Sequence, residues 1–173
     1  MEEVKVLINK KEIDKKVEEL AAKLDKEYEG KEITVLSVLN GAAFFTVELT
    51  LKMKTKIKYS FIKISSYEGT ESSGKITLNL DVSNSDIEGK DVLIVEDIVD
   101  TGRSMNYLIE HIKAKNPKSL KVCVLVSKPS RREIEVPIDY LGFEIPNKFI
   151  IGYGFDDENG YQRNLPFIGY KEV

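Results

Sequence analysis

DVLIVEDIVDTGRS, residues 91–104, sets an apolar run, a cluster of carboxylates, a glycine and two hydroxyl side chains within fourteen positions. Val92 to Val95 form a short, mostly β-branched run, the pattern of a strand covered on both faces in a parallel sheet flanked by helices. Glu96 and Asp97 follow at its carboxyl end, where open α/β sheets collect their ligands. Asp100-Thr101-Gly102-Arg103-Ser104 then lead into Met105, Leu108, Ile109 and Ile112, which recur at helical spacing. The stretch therefore reads as strand, tight turn, helix.

The chemistry follows from these residue types. Gly102 lets the backbone approach a ligand closely. Thr101 and Ser104 supply hydroxyls, and the unpaired N–H groups of a helix start seat a phosphate. Acids on one side and an anion seat on the other imply a phosphorylated sugar, its hydroxyls toward Glu96 and Asp97, with Mg²⁺ offsetting the repulsion between carboxylates and phosphate. Two blander alternatives stay open on these residues alone. Asp100 or Thr101 is only a helix N-cap, or the acids belong to a receiver-type domain, whose acid pair sits on the first strand and not past the middle of the chain.

A chain of 173 residues, 42% apolar and 32% charged, suits one globular domain over 1–173. The net charge of −3 argues against a nucleic-acid-coating or membrane-surface role, since both need basic patches. A small-molecule partner is expected, and no nucleic acid or membrane. The charged MEEVKVLINK start does not read as a secretory signal and no apolar run has spanning length, so the expected location is cytoplasmic. Cys123, inside LKVCVLV, reads as a small core hydrophobe.

Around the central stretch, Lys11 to Tyr28 has the periodicity of an amphipathic helix with Gly30 as its stop. Ile33 to Leu39 reads as a strand running into Asn40-Gly41 and a second helical pattern through Phe45, Leu49 and Met53, a repeat of strand, turn and helix. Asn40-Gly41 is either an ordinary turn or a second anion seat. Ile57–Ile64 and Lys75–Leu80 are expected strands, joined by a polar glycine-bearing segment that is a lid or a loose connection. Asp86 to Lys90 reads as a polar turn, and His111 lies off the buried stripe of its helix, as surface decoration. Leu120 to Val126 is a further buried strand ending in Ser127-Lys128. Arg131 to Pro146 reads as a hood or edge element.

The motif VLIVEDIVDTGRS resembles the phosphoribosyl-pyrophosphate signature of type I phosphoribosyltransferases, and the chain from about Ile33 to Tyr170 resembles their 6-oxopurine salvage branch, the hypoxanthine(-guanine) phosphoribosyltransferases. The resemblance implies a three-layer α/β/α fold with a mostly parallel sheet and a small hood. It also implies Mg²⁺-dependent conversion of hypoxanthine or guanine and 5-phosphoribosyl 1-pyrophosphate to nucleotide and pyrophosphate, in a homodimer or homotetramer. It assigns Glu96 and Asp97 to ribose and metal, Asp100 to catalysis as a base, and Asp100, Thr101, Gly102, Arg103 and Ser104 to the 5′-phosphate. Leu39, Asn40, Gly41 and Arg163 go to the pyrophosphate, with a non-proline cis bond between Leu39 and Asn40. Asn40 stands where the family often carries a basic residue.

Ser66 and Tyr67 match its lid. Lys128, Phe149, Ile150, Phe155 and Asp156 match its purine pocket: Lys128 on the 6-oxo group, Phe149 stacked on the base, the Ile150 backbone at its edge and Phe155 over the other face. Asp156 or Asp157 would hold a second Mg²⁺, because one extra residue separates the acid from Arg163, and the GYGFD context favours Asp156. A regulator that keeps the phosphoribosyl-pyrophosphate pocket as a sensor and binds nucleic acid is the alternative.

Overall fold

The computed structural model describes residues 3–66 and 75–172. In chain order its elements are β1 (Lys5–Ile8), α1 (Lys10–Glu27), β2 (Glu32–Leu39), α2 (Ala43–Leu51), β3 (Lys56–Ser66), β4 (Ile76–Leu80), α3 (Asn84–Ile87), β5 (Asp91–Val99), α4 (Arg103–Lys113), β6 (Ser119–Ser127), β7 (Tyr140–Glu144), β8 (Ile150–Ile151) and β9 (Ile168–Tyr170).

Six strands form the main sheet in the order β4-β3-β2-β5-β6-β7. Only β4, paired to β3, runs antiparallel; the other pairings are parallel. Side chains alternate across the sheet as strand geometry requires. Val35, Leu93, Val95, Cys123 and Leu125 pack under α1 and α2 on one face, while Leu36, Ile94, Val122 and Val124 meet α4 on the other. Cys123 is thus a core side chain, with no disulfide. α1 begins with a reciprocal cap in which Asn9 accepts from the Glu12 N–H and Glu12 accepts from the Asn9 N–H.

The chain leaves β2 toward β3 and, from β5, proceeds the opposite way to β6 and β7. The gap between the carboxyl ends of β2 and β5 is therefore a topological switch point, where such sheets bind ligands.

Two expectations are corrected here, and one open reading is settled. The signature strand does not stop before the acids: pairing of Glu96 with Val124 and Ile98 with Val126 carries β5 through to Val99. Asp86 lies in the one-turn helix α3, which exists because Ile87 is fully buried against the second core. Of hood and edge, Arg131 to Pro146 supplies the edge, because β7 completes a parallel ladder with β6. The separate small sheet is built from both ends of the described chain, β1-β9-β8, all antiparallel.

Candidate active site

A cavity of about 430 Å³ opens at the switch point. Its walls come from five places in the sequence: Leu39 and Gly41 at and after the end of β2, Ile64 and Ser66 at the end of β3, Glu96 to Gly102 at the end of β5, Ser104 and Met105 on the first turn of α4, and Asp156 with Arg163 from the loop after β8.

Glu96 and Asp97 are adjacent in β5, so their side chains leave the strand in opposite directions, yet both line the cavity. Each is braced by a backbone donor: the Asp97 N–H donates to Glu96 Oε1 at 2.8 Å and the Ile98 N–H to Asp97 Oδ1 at 2.7 Å. Burial, and then the neighbouring Asp97 charge, push the Glu96 carboxyl well above the usual carboxylate range, and burial also raises Asp97. Asp97 additionally fills the space beside Gly41, where an added Cβ would fall 1.7 Å from Oδ2. Glycine at 41 is what permits the second turn to close on the acid.

On the opposite wall, Gly102 has φ +90° and its Cα lies against the Ile134 carbonyl, 2.2 Å from where a Cβ would stand. This left-handed residue starts α4 and leaves the first N–H groups of the helix free of intrahelical partners beside Ser104 and Met105. The segment after β6 holds the turn in place. Arg132 donates to the Ser127 hydroxyl at 2.7 Å and to the Asp100 carbonyl at 3.2 Å, while the Glu133 and Ile134 N–H groups reach the Thr101 carbonyl. Arg131 Nε contacts Asp100 Oδ1 at 2.7 Å. Neither arginine stood out in the sequence, because their contacts with Asp100 span some thirty residues and no local pattern marks the pairing.

Arg103 is turned away by an ion pair with Glu133 at 2.5 Å and does not line the cavity. Asn40 is exposed and absent from the wall; the Leu39-Asn40 bond is cis, as the resemblance implies. Ser66 lines the cavity, whereas Tyr67 and the remaining lid residues lie outside the described residues.

The two acids after Phe155 separate cleanly. Asp156 faces the cavity and pairs with Arg163 at 2.7 Å. Asp157 turns inward and organises the loop, accepting from the Asn159 and Tyr161 N–H groups, both at 2.9 Å, and from Gln162 at 3.0 Å. The Tyr161 N–H, with Gln162 and Asn159, holds the Asp157 carboxyl below the usual carboxylate range. Stabilisation from a depressed carboxyl is present above its unfolded pKa, near 3.9, and is lost as pH falls through the lower folded value. The melting-temperature gap between wild type and Asp157→Asn is therefore expected to be steady at neutral pH and to narrow below about pH 4. Thermal melts of both proteins across pH 3–7 check this, and a constant gap throughout would remove the assignment.

The four remaining purine candidates do not line this cavity. Lys128 follows β6 directly, is 7% exposed, and has its ammonium pKa lowered by burial despite the nearby Asp100 charge. Phe149 is 54% exposed just before β8, which makes it available to a flat ring. Ile150 is buried in β8, and Phe155 is packed in the core beside it, not presented at the cavity. His111 takes no part, bonding Asp81 at 2.8 Å and stacking on Tyr107.

Residues 4–158 match the phosphoribosyl transferase domain family. The hypoxanthine-guanine-xanthine phosphoribosyltransferase of Tritrichomonas foetus is 45% identical over 95% of this chain and 90% of its own. A crystal structure of a hypoxanthine-guanine phosphoribosyltransferase from Bacillus anthracis, with a HEPES molecule in the active site, superposes with a TM-score of 0.90 at 42% identity, covering 98% of this chain and 100% of that one. The bifunctional TilS/HprT protein of Listeria monocytogenes is 44% identical over 95% of this chain, which spans only 25% of that protein's length. With the switch-point cavity built as described, the chain belongs to the phosphoribosyltransferase family, in its hypoxanthine-guanine branch.

Proposed function

We propose that this protein transfers the phosphoribosyl group of 5-phosphoribosyl 1-pyrophosphate to hypoxanthine or guanine, giving the nucleotide and pyrophosphate. The observation that carries the reading is a single cavity with the Glu96–Asp97 carboxylate pair on one wall and a glycine-opened helix start on the other. That is the charge pattern of a sugar bearing phosphates. The xanthine use named for the Tritrichomonas foetus relative is left to the assay below.

The donor set suits Mg²⁺. Glu96 and Asp97 each use one oxygen on a backbone N–H, and the second oxygen of Asp97 lies against Gly41 at the cavity wall. Mg²⁺ takes hard oxygens and is usually held by one or two carboxylates together with substrate phosphates. Their raised pKa values reflect a buried negative pair that a cation would offset. Asp156 would hold a second ion. When bound, Mg²⁺ supplies charge neutralisation for the pyrophosphate.

The residues of the chain do the rest. The turn from Thr101 to Ser104 binds the 5′-phosphate, and Gly41 with Arg163 takes the pyrophosphate. As the bond from the sugar to pyrophosphate oxygen breaks, the positively charged sugar carbon is stabilised by the carboxylates around it. A ring nitrogen of the purine forms the new bond, and its proton passes to the Asp100 carboxylate, whose Oδ2 is not engaged by Arg131.

The acidic balance, net −3, speaks against the nucleic-acid-binding alternative. Among the described residues no helix is long and apolar enough to cross a membrane, and we place the enzyme in the cytoplasm. A homodimer or homotetramer is favoured by the outer stripe of Phe44, Val47 and Leu51 on α2. It adjoins Tyr59 and Phe61 on β3, all 44–78% exposed and continuous through the Thr50–Tyr59 hydroxyl contact.

The test is nucleotide formation from 5-phosphoribosyl 1-pyrophosphate with hypoxanthine, guanine, xanthine, adenine or uracil, with Mg²⁺ and after chelation. Turnover of hypoxanthine or guanine that is lost on chelation is expected. Turnover of uracil alone, or none of any base, would refute the reading.

A further inference from the structure

Two turns of the site come from opposite ends of the chain and meet backbone to backbone. A Cβ on Gly154 would lie 2.1 Å from the Gly41 carbonyl oxygen, so no side chain separates the turn after β2 from the loop that carries Asp156. The Gly154 N–H donates to the Arg163 carbonyl, and Arg163 returns a guanidinium bond to the Gly154 carbonyl.

Between Gly152 and Gly154 stands Tyr153, with φ +49°. A bulky aromatic in the left-handed region is uncommon and persists only where its surroundings over-determine it. Here they do. Tyr153 is 3% exposed, its N–H is held by the Leu165 carbonyl at 2.8 Å, and its hydroxyl donates to Glu48 Oε2 on α2. Lys10, at the start of α1, contacts both Glu48 oxygens at 2.8 and 2.9 Å and lies 5.5 Å from the Tyr153 ring centre. Burial, and then the Glu48 carboxylate, raise the Tyr153 hydroxyl far out of its ordinary range, so it stays a donor. α2 is in turn fixed to the pyrophosphate turn, since Thr46 donates to the Ala42 carbonyl at 2.7 Å and bonds Ser37 of β2 at 2.7 Å.

We propose that Tyr153 and Glu48 form a clamp that positions the Leu39–Ala42 turn against the loop carrying Asp156 and Arg163. Tyr153 does not line the cavity and touches no substrate; it is a positioning residue for the pyrophosphate end of the site, and the assignment rests on the reaction proposed above. The hydroxyl ties α2 to the loop, and Gly154 transmits that tie to Gly41. Loss of the hydroxyl lets the two turns drift apart while the phosphate turn at α4 and the Lys128 region, anchored on β5 and β6, stay in place.

The experiment compares Tyr153→Phe, Glu48→Ala, Glu48→Gln and the Tyr153→Phe/Glu48→Ala double variant, in the Mg²⁺-supplemented full chain. Tyr153→Phe is expected to raise KM for 5-phosphoribosyl 1-pyrophosphate, and for pyrophosphate in the reverse direction, about tenfold, short of the ~10² that a 1 Å misplacement can cost. KM for hypoxanthine is expected to stay within about twofold, since Lys128 is anchored on β6 and the Ile150 backbone is held by its pairing with Tyr170 of β9 and not by the Tyr153 hydroxyl. Glu48→Ala should match it and the double variant should add nothing, as for two halves of one contact. Glu48→Gln keeps an oxygen acceptor and restores the wild-type KM. A merely structural role would lower melting temperature and active fraction without this split. An unchanged pyrophosphate-side KM in Tyr153→Phe, equal rises for both substrates, or multiplying effects in the double variant would each overturn the clamp while wild-type turnover kept the reaction standing. A wild type that forms no nucleotide would remove both.

Discussion

An Asp100→Asn enzyme is expected to turn over ~10²–10⁴-fold more slowly than wild type, the range that a positioned general base contributes, with KM for the phosphoribosyl donor changed little. The geometry makes this substitution a clean probe. Arg131 occupies only Oδ1 of Asp100, at 2.7 Å, and an asparagine oxygen can accept the same bond. The turn therefore keeps its shape while the free oxygen that would take the proton becomes an amide. Replacing Glu96 or Asp97 should behave differently, weakening binding of the Mg²⁺–phosphoribosyl pyrophosphate complex first, because both line the cavity wall that would face its oxygens. Steady-state kinetics on the variants separate the two patterns. Normal turnover in Asp100→Asn would mean that the proton leaves by another route.

The second large effect concerns base choice at Lys128. An ammonium donates and never accepts, so it suits the 6-oxo group of hypoxanthine or guanine and meets the 6-amino group of adenine donor to donor. Lys128 is only 7% exposed, and burial lowers its pKa, so water offers it little relief when its partner is wrong. An unpaired buried donor costs about 1–3 kcal/mol, more when charged. Sites built on such contacts discriminate by roughly 10⁴. Adenine is therefore expected to fall about 10⁴-fold below hypoxanthine in kcat/KM, and Lys128→Ala to lose most of that preference by losing the 6-oxopurines. Xanthine should also be a poor substrate, its 2-oxo group facing the Ile150 carbonyl, acceptor to acceptor. Measuring kcat/KM for the four purines in both proteins decides it: adenine used as well as hypoxanthine, or an indifferent Lys128→Ala, would sink the assignment.

The half of the site that lies within one strand, turn and helix was legible because its parts are contiguous. Glu96, Asp97, Thr101, Gly102 and Ser104 line one cavity, and residues 91–104 alone carry the apolar run, the acids and the helix start. The central strands β2, β5 and β6 were legible for the same reason, being near-continuous apolar runs. What the sequence concealed depends on contacts between distant segments. That β1 would pair with β9 leaves no mark in either, and the charged start of the chain reads as an ordinary polar terminus. The roles of Asp156 and Asp157 differ only through which one the Asn159, Tyr161 and Gln162 donors capture. Phe155 is a pocket aromatic only by the family resemblance, and here the Gly152–Phe155 bridge folds it into the core.

The small sheet β1-β9-β8 has a consequence for how the protein fails. It anchors the loop bearing Asp156 and Arg163 through short ladders hydrogen-bonded apart from the six-stranded sheet, although Ile8, Ile150 and Ile168 reach into the same core. Segments of this kind open at lower free energy than the core they rest on. The first excursion expected on warming is therefore a detachment of these short ladders that withdraws Arg163 while the main sheet and the phosphate turn persist. Such a molecule is catalytically silent and still folded by any spectroscopic measure of its secondary structure, so inactivation will run ahead of melting.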